Sequence, residues 1–236
     1  FDRTLAQIVE LRPDRIALYA YAHLPERFKP QRRIATVELP GAASKVTMLA
    51  RSMNTLMAAG YIYVGMDHFA LPNDALAVAK RQGRLHRNFQ GYSTYADCDM
   101  LSFGISSISK VGPTYNQNVK TLDEYYDRLD AQILPVFRGI ELNADDILRR
   151  SIIQALMCHF ELSIESIESA HLIDFHEYFA DELQDMKEME QAGLLKIDRE
   201  WITVLPPGRM LVRVITMVFD RYLRADRERK RYSKVI

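Results

Sequence analysis

The chain has 236 residues, 48% hydrophobic and 26% charged, with thirty-one basic side chains balancing thirty-one acidic ones. That composition can bury a core, which excludes a disordered or low-complexity segment, and the neutral balance argues against a dedicated nucleic-acid binder. No apolar run approaches the roughly 18 residues of a membrane span, and two cysteines sixty residues apart, Cys98 and Cys158, give neither a disulfide framework nor closely spaced metal ligands. In chain order, Arg15 to Ala22 is short, apolar and aromatic, the pattern of a strand buried on both faces. Ser44 is placed to cap a helix with apolar residues at Val46, Leu49, Met53, Leu56 and Met57, and Gly60 stops it. Tyr61 to Met66 is a second strand, Asn73 caps a shorter helix ending near Gly83, and Met100 to Ile108 is a third strand with Gly104 inside it. Strand, helix, strand, helix, strand is the repeat of an α/β fold, and a parallel sheet with crossover helices is expected. About three parallel strands close no barrel, so a partner half is expected to complete the sheet.

The second half changes character. Thr121 with Glu124 makes a capping box for a helix carrying Tyr125, Leu129 and Ile133. Asn143 opens another, with Leu148, Ile152, Leu156 and Phe160 facing a core, and a third is expected from Phe175 to Ala192. Leu194 to Leu205 reads as a hairpin around Asp198-Arg199-Glu200, and a last helix runs from Pro206 through Leu223. Helix, helix, hairpin, helix is the order of a winged-helix-like unit, which places a domain boundary near residue 140, dividing 1–140 from 141–236.

Chemistry in such a sheet gathers in the loops beyond the strand ends. His23 follows the first strand, Asp67 and His68 the second, and Ser109-Lys110 the third, while the polar and aromatic run from Arg84 to Tyr95 precedes the third. Arg and ring side chains there suit a flat anionic ligand, with Arg meeting carboxylates. Each residue also has a plainer reading: a histidine at a strand end is often a hydrogen-bonded brace, and Arg84 and Arg87 can be solvated. A Gly-rich phosphate loop, a His-Glu-x-x-His motif and a Gly-x-Ser-x-Gly elbow are all missing from the sequence. The tail from Arg221 to Ile236 holds seven basic and two acidic residues, but the third helix carries Asp181, Glu182, Asp185, Glu188 and Glu190, a face that repels phosphate.

Several stretches, in one order, resemble the oxygen-independent coproporphyrinogen III oxidases, radical S-adenosylmethionine enzymes of haem synthesis. They are Phe1-Asp2-Arg3-Thr4-Leu5, Tyr21-Ala22-His23-Leu24-Pro25, Gly65-Met66-Asp67-His68-Phe69-Ala70, and His86 through Thr94, continuing through Phe103-Gly104-Ile105-Ser106 and Phe137-Arg138-Gly139-Ile140 to Ser233-Lys234-Val235-Ile236. The likeness covers essentially the whole chain. Members of that family begin with a partial (β/α) radical-SAM barrel whose first half carries Cys-x-x-x-Cys-x-x-Cys for a [4Fe-4S] cluster, a motif this sequence does not contain. The resemblance therefore implies the C-terminal half of that barrel followed by a mostly helical, winged-helix-like domain, beginning mid-barrel at Phe1. Such a piece is expected to be inactive alone, with no catalytic and no metal-ligating residue of its own, and to associate through its open sheet edge.

For the parent enzyme the resemblance implies reductive cleavage of S-adenosylmethionine to a 5′-deoxyadenosyl radical. The radical removes a hydrogen from a propionate of coproporphyrinogen III; loss of CO2 and one electron leaves a vinyl, and two such steps give protoporphyrinogen IX. Matched positions make Ala22 and Ile108 contacts for S-adenosylmethionine, through backbone or apolar surface. Arg87 is the expected partner of the substrate propionates, with Asn88, Gln90 and Tyr92 shaping its loop and His23 and His68 positioning or bracing. The implied partners are coproporphyrinogen III, an electron donor and acceptor, and the N-terminal barrel half, in the cytoplasm, without nucleic acid or membrane. A haem-binding, haem-delivering branch of the same superfamily is the alternative.

Overall fold

A computed structural model of the chain describes residues 1–96 and 98–225. The basic tail beyond Ala225 and the closing Ser233 to Ile236 stretch lie outside the described residues. In the first region, helix α1 (Asp2–Leu11) ends where Arg12 turns left-handed and returns its N–H to the Ile8 carbonyl. Strand β1 (Arg15–Ala17), helix α2 (Ala42–Ala58), strands β2 (Ile62–Gly65) and β3 (His68–Ala70) and helix α3 (Ala75–Arg81) follow. The α3 cap is Asp74, whose carboxylate accepts from the Leu76 N–H at 2.8 Å; the expected cap, Asn73, stands one residue too early.

The expected parallel sheet is corrected: among the described residues every strand pairing is antiparallel. The order β1-β3-β2 puts β3 between the two strands that α2 connects, so β1 and β2 run the same way without touching. The cause is a tight turn at Met66 and Asp67, with Met66 at φ 50°, which folds β3 straight back onto β2. The first strand is also shorter than expected. After Ala17 the chain leaves the sheet, and Tyr19 and Tyr21 stand exposed.

The run before the third predicted strand is a hairpin, β4 (His86–Asn88) and β5 (Gly91–Ser93), rather than a loop. Met100 to Ile108 is mostly not a strand. Gly104 and Ser106 have positive φ, and the hydroxyls of Ser102 and Ser107 bond to nearby carbonyls, offering the backbone partners that compete with a ladder. The strands lie just downstream, β6 (Ile108–Val111), β7 (Thr114–Asn118) and β8 (Val136–Glu141), in the order β6-β7-β8, with α4 (Leu122–Asp130) between the last two.

Helix α5 (Ala144–His159) opens on a reciprocal capping box between Asn143 and Asp146 and closes on Phe160 in the left-handed conformation. Then come β9 (Glu161–Ser163), α6 (Ile164–His171), α7 (Phe175–Tyr178), α8 (Ala180–Gln191) and the hairpin β10 (Leu195–Ile197) with β11 (Trp201–Val204), which lies between β10 and β9. The helix expected from Phe175 to Ala192 is broken at Phe179, whose fully buried ring packs against Phe175 and Phe219. The last expected helix is likewise divided into α9 (Pro206–Arg209), α10 (Val212–Thr216) and α11 (Arg221–Ala225).

Two clusters of buried side chains hold these elements. The larger joins Leu56, Tyr61, Tyr63 and Phe69 to Leu148, Ile152, Leu156, Phe160, Phe179, Ile215 and Phe219, so both halves share it. The smaller packs Val64, Ala70, Leu76, Leu85 and Tyr92 against Cys158. Helix α5 contributes to both, and its C-terminal end lies where they meet. No helix among the described residues is long and apolar enough to cross a membrane.

Candidate functional site

Three short elements converge on the end of α5. The β2–β3 turn supplies Asp67 and His68, hydrogen-bonded Nδ1 to Oδ1 at 2.6 Å. The β4–β5 hairpin supplies Arg87 and Tyr92, which are cross-strand partners. The Tyr92 ring takes the edge of His68 at 5.2 Å between centroids and the Arg87 guanidinium at 4.9 Å, and its hydroxyl donates to the Met157 carbonyl at 2.9 Å. That carbonyl lies in the last turn of α5, where the helix leaves acceptors without partners, so the phenol caps it. Gly65 makes this approach possible: a Cβ there would stand 2.3 Å from the Tyr92 hydroxyl oxygen.

Burial sets much of the electrostatics. It drives the Tyr92 and Tyr63 phenols far above their ordinary range, so both are neutral hydrogen-bond donors. Burial also works against the Asp67 carboxylate, but the hydrogen bond and charge of His68, with Arg87 nearby, outweigh it and hold Asp67 below the usual carboxylate range. Lys80 of α3 is pushed down to about 8 by burial and by Arg209, while its Nζ donates to the Val64 carbonyl and lies over the Phe160 ring. One terminal nitrogen of Arg87, Nη1, is buried with no hydrogen-bond partner among the described residues. A buried guanidinium nitrogen without an acceptor is costly unless something else supplies one.

The sequence-expected residues separate into two groups. Arg87, Asn88, Gln90, Tyr92 and His68 come together on or beside the hairpin. Asn88 accepts the Gln90 N–H through its side chain at 2.8 Å, an Asx turn that shapes the hairpin's tip, and Phe89 and Gln90 stand exposed. His68 is not in a free loop, because it opens β3. The others lie on separate segments. Ala22 is in an irregular stretch held by Gln31, whose amide accepts from the Leu24 N–H and donates to the Ala22 carbonyl at 3.1 Å. His23 beside it has a buried Nδ1 without a partner among the described residues. Ile108 opens β6 opposite Gln117, and its carbonyl accepts the Ser102 hydroxyl at 2.7 Å. Ser109 and Lys110 belong to that ladder, Ser109 buried as the acceptor of the Ser102 N–H, while Arg84 is engaged by the Gln82 side chain.

Neither cysteine fits a cluster. Cys98 is exposed, Cys158 is buried in an apolar pocket that pushes its thiol up to about 12, and no group of three or more His, Cys, Asp or Glu among the described residues can hold a metal ion. Sequence reasoning missed the α5 side of the site. Gln154 bonds the main chain of Arg87, and its only sign in the sequence is a polar i, i+4 pair, Arg150 and Gln154, beside the apolar stripe.

Comparison with known proteins supplies the context. The HemN C-terminal domain family matches residues 142–211. An oxygen-independent coproporphyrinogen III oxidase of Pseudomonas aeruginosa is 48% identical over 236 residues, which is 100% of this chain and 51% of that protein. The one of Thermostichus vulcanus is 43% identical over 237 residues, covering 100% of this chain and 73% of the relative. A solved structure described as coproporphyrinogen III oxidase (HemN) from Escherichia coli, a radical SAM enzyme, superposes with a TM-score of 0.90 at 44% identity, over 94% of this chain and 51% of that one. The chain thus spans about half the length of most of the curated relatives it matches.

Proposed function

The chain belongs to the oxygen-independent coproporphyrinogen III oxidase family, and from that premise we propose that it is the C-terminal portion of such an enzyme, oxidatively decarboxylating two propionates of coproporphyrinogen III to the vinyls of protoporphyrinogen IX. The observation that carries this reading is the unbroken likeness across all 236 residues to proteins bearing that name. The [4Fe-4S] cluster and S-adenosylmethionine belong to the parent enzyme. The cluster's ligands are outside this sequence, which has two cysteines, so no step of the chemistry is assigned to residues here.

What this chain contributes is the seat of the substrate. Arg87, backed by Tyr92, is the side chain assigned to a propionate, while Asn88 and Gln90 form the tip that faces the porphyrinogen. His68, held by Asp67, braces the Tyr92 ring, and His23, Ala22 and Ile108 line the cofactor side. On this reading residues 1–140 are the region that closes the parent's barrel, their own sheets being antiparallel, and 141–236 are the helical domain, where α5, β9, α6, α8 and the β10–β11 hairpin follow winged-helix order. That unit does not serve nucleic acid, because α8 is acidic. Tyr19, Val37, Phe103 and Leu134 are large, exposed apolar side chains that the N-terminal barrel half covers in the parent. The parent works in the cytoplasm with a separate electron donor and acceptor.

The test uses the full-length parent, purified and reconstituted without oxygen and supplied with S-adenosylmethionine, a reductant, an electron acceptor and coproporphyrinogen III. Stepwise loss of two CO2, with 5′-deoxyadenosine formed, is expected. Arg87→Met should raise KM for the porphyrinogen by about tenfold or more, the loss of a charge-assisted bond. Cleavage of S-adenosylmethionine without decarboxylation, together with tight haem binding, would replace the reading by the carrier one.

A further inference from the structure

The hairpin that carries the proposed substrate contacts is three residues long on each side, too short to hold its own angle against the rest of the protein. Strand β4 has no second strand beside it among the described residues, and at that edge the Gln154 side chain takes the place of a neighbouring strand. The Arg87 N–H donates to Gln154 Oε1 at 3.2 Å, and Gln154 Nε2 donates to the Arg87 carbonyl at 2.7 Å. A primary amide presents the same donor and acceptor pair as a peptide unit, so one side chain satisfies both outward main-chain groups of Arg87.

The contact is continued along one stripe of α5. One turn before Gln154, the Arg150 guanidinium reaches the Tyr115 hydroxyl at 3.4 Å, and Tyr115 takes the edge of Phe89 at 5.2 Å. One turn after it, the Met157 carbonyl accepts the Tyr92 hydroxyl. Positions 150, 154 and 157 lie on one face of the helix, so the tip, β4 and β5 are each tied to a different turn of the same rigid element. The tip residues Phe89 and Gln90 remain exposed beyond this platform.

We propose that Gln154 is a positioning residue of the enzyme: it fixes the pitch of the β4–β5 hairpin against α5 and thereby sets where the Asn88–Gln90 tip meets the porphyrinogen. The inference rests on the reading of that hairpin as the substrate's seat. It assigns the helical region a task in substrate placement, through Arg87's main chain and independently of Arg87's charge.

Hydrogen exchange on the 236-residue chain itself tests the clamp. In Gln154→Leu the Arg87 amide, whose acceptor is removed, should exchange about tenfold faster or more, with its neighbours in 86–93 following, while amides of β10 and β11 keep their rates. Gln154→Glu retains an acceptor for the Arg87 N–H and should fall between Leu and wild type. In the parent enzyme, Gln154→Leu should raise KM for coproporphyrinogen III about tenfold, and Gln154→Glu should recover part of that loss. Unchanged exchange at Arg87 overturns the clamp, and faster exchange with an unchanged KM overturns the positioning role. A wild-type parent that does not decarboxylate defeats the enzyme reading, and with it the substrate half of this inference, whatever the exchange rates show.

Discussion

The sharpest physical test of the site is Gly65→Ala. Gly65 is not among the residues with positive φ, so alanine meets no backbone penalty there, and the whole cost comes from contact. Its Cβ would lie 2.3 Å from the Tyr92 hydroxyl oxygen, 2.9 Å from Cζ and 3.4 Å from the Met157 carbonyl oxygen. The ring must therefore shift by about 0.7 Å or more, since real Cβ atoms essentially never approach closer than 3.0 Å, and Tyr92 is too buried to swing into solvent. That movement breaks the 2.9 Å bond to Met157 and displaces the ring from beneath Arg87. The lost hydrogen bond costs about 1 kcal/mol, the cation–π contact about 0.5–1 kcal/mol, and the overpacking about 1–3 kcal/mol. Restricting the unfolded chain returns about 0.5–1 kcal/mol. The expected net destabilisation is about 1.5–4.5 kcal/mol, read in urea as a lower midpoint at constant slope. Tyr92→Phe alone should cost about 1 kcal/mol, and the double variant less than the sum by about 1 kcal/mol, because deleting the hydroxyl removes the closest clash. A Gly65→Ala midpoint indistinguishable from wild type, or strict additivity with Tyr92→Phe, would refute this account of why a glycine stands in β2.

Other consequences are simpler to check. Arg149 bridges Asp145 at 2.8 Å and the buried Glu182 at 2.9 Å, so Arg149→Met should destabilise the chain by about 3 kcal/mol in urea, leaving a buried carboxylate undercompensated; a change below about 1 kcal/mol would place the network among ordinary surface pairs. Burial acts to raise the Asp145 carboxyl, but the bonds from Arg149 and Tyr178 and the Arg149 charge hold it below its ordinary range. The folded state then binds fewer protons than the unfolded one. This contribution is complete above about pH 4 and is lost as pH falls through the depressed folded value, so Tm should fall on acidification, less steeply in Asp145→Asn. Iodoacetamide near pH 8 should label the exposed Cys98 in the native chain and reach Cys158, buried with its thiol at about 12, only after denaturation; equal rates would mean the smaller core opens readily.

The legible parts of the fold were those whose signal is local. Asn143 before two aspartates and a 3.6-residue apolar stripe marks α5, because the cap and the stripe are written within one segment. Asp198-Arg199-Glu200 between apolar runs marks the last hairpin for the same reason. Strand β3 has three residues, too few for any period, and its turn uses Met66 at positive φ where sequence patterns look for asparagine or glycine. Missing β3 is what turned an antiparallel sheet into an expected parallel one. Met100 to Ile108 has enough apolar residues to read as a strand, and the hydroxyl bonds of Ser102 and Ser107 with the positive φ of Gly104 and Ser106 make it irregular. Arg87, Tyr92 and His68 were legible as a polar and aromatic concentration, whereas Gln154 stands 67 residues from Arg87 and bonds its main chain, which no side-chain pattern records. Ala22 and Ile108 carry no physical sign at all and were reached through resemblance.

The position of α5 explains why the two halves of the chain cannot be treated as independent. Its apolar stripe, Leu148, Ile152 and Leu156, enters the core shared with Leu56, Tyr63 and Phe69. Its polar stripe holds the hairpin, and Cys158, near its end, closes the smaller core around Tyr92. A change anywhere along this helix is felt at Leu56, Tyr63 and Phe69, because close-packed cores transmit displacement instead of absorbing it. Residues before and after 140 therefore share one core and do not make two separate folding units. On this argument α5 is built into the hairpin site: removing it would leave β4 without its surrogate neighbour, Tyr92 without its acceptor, and Phe69 facing water.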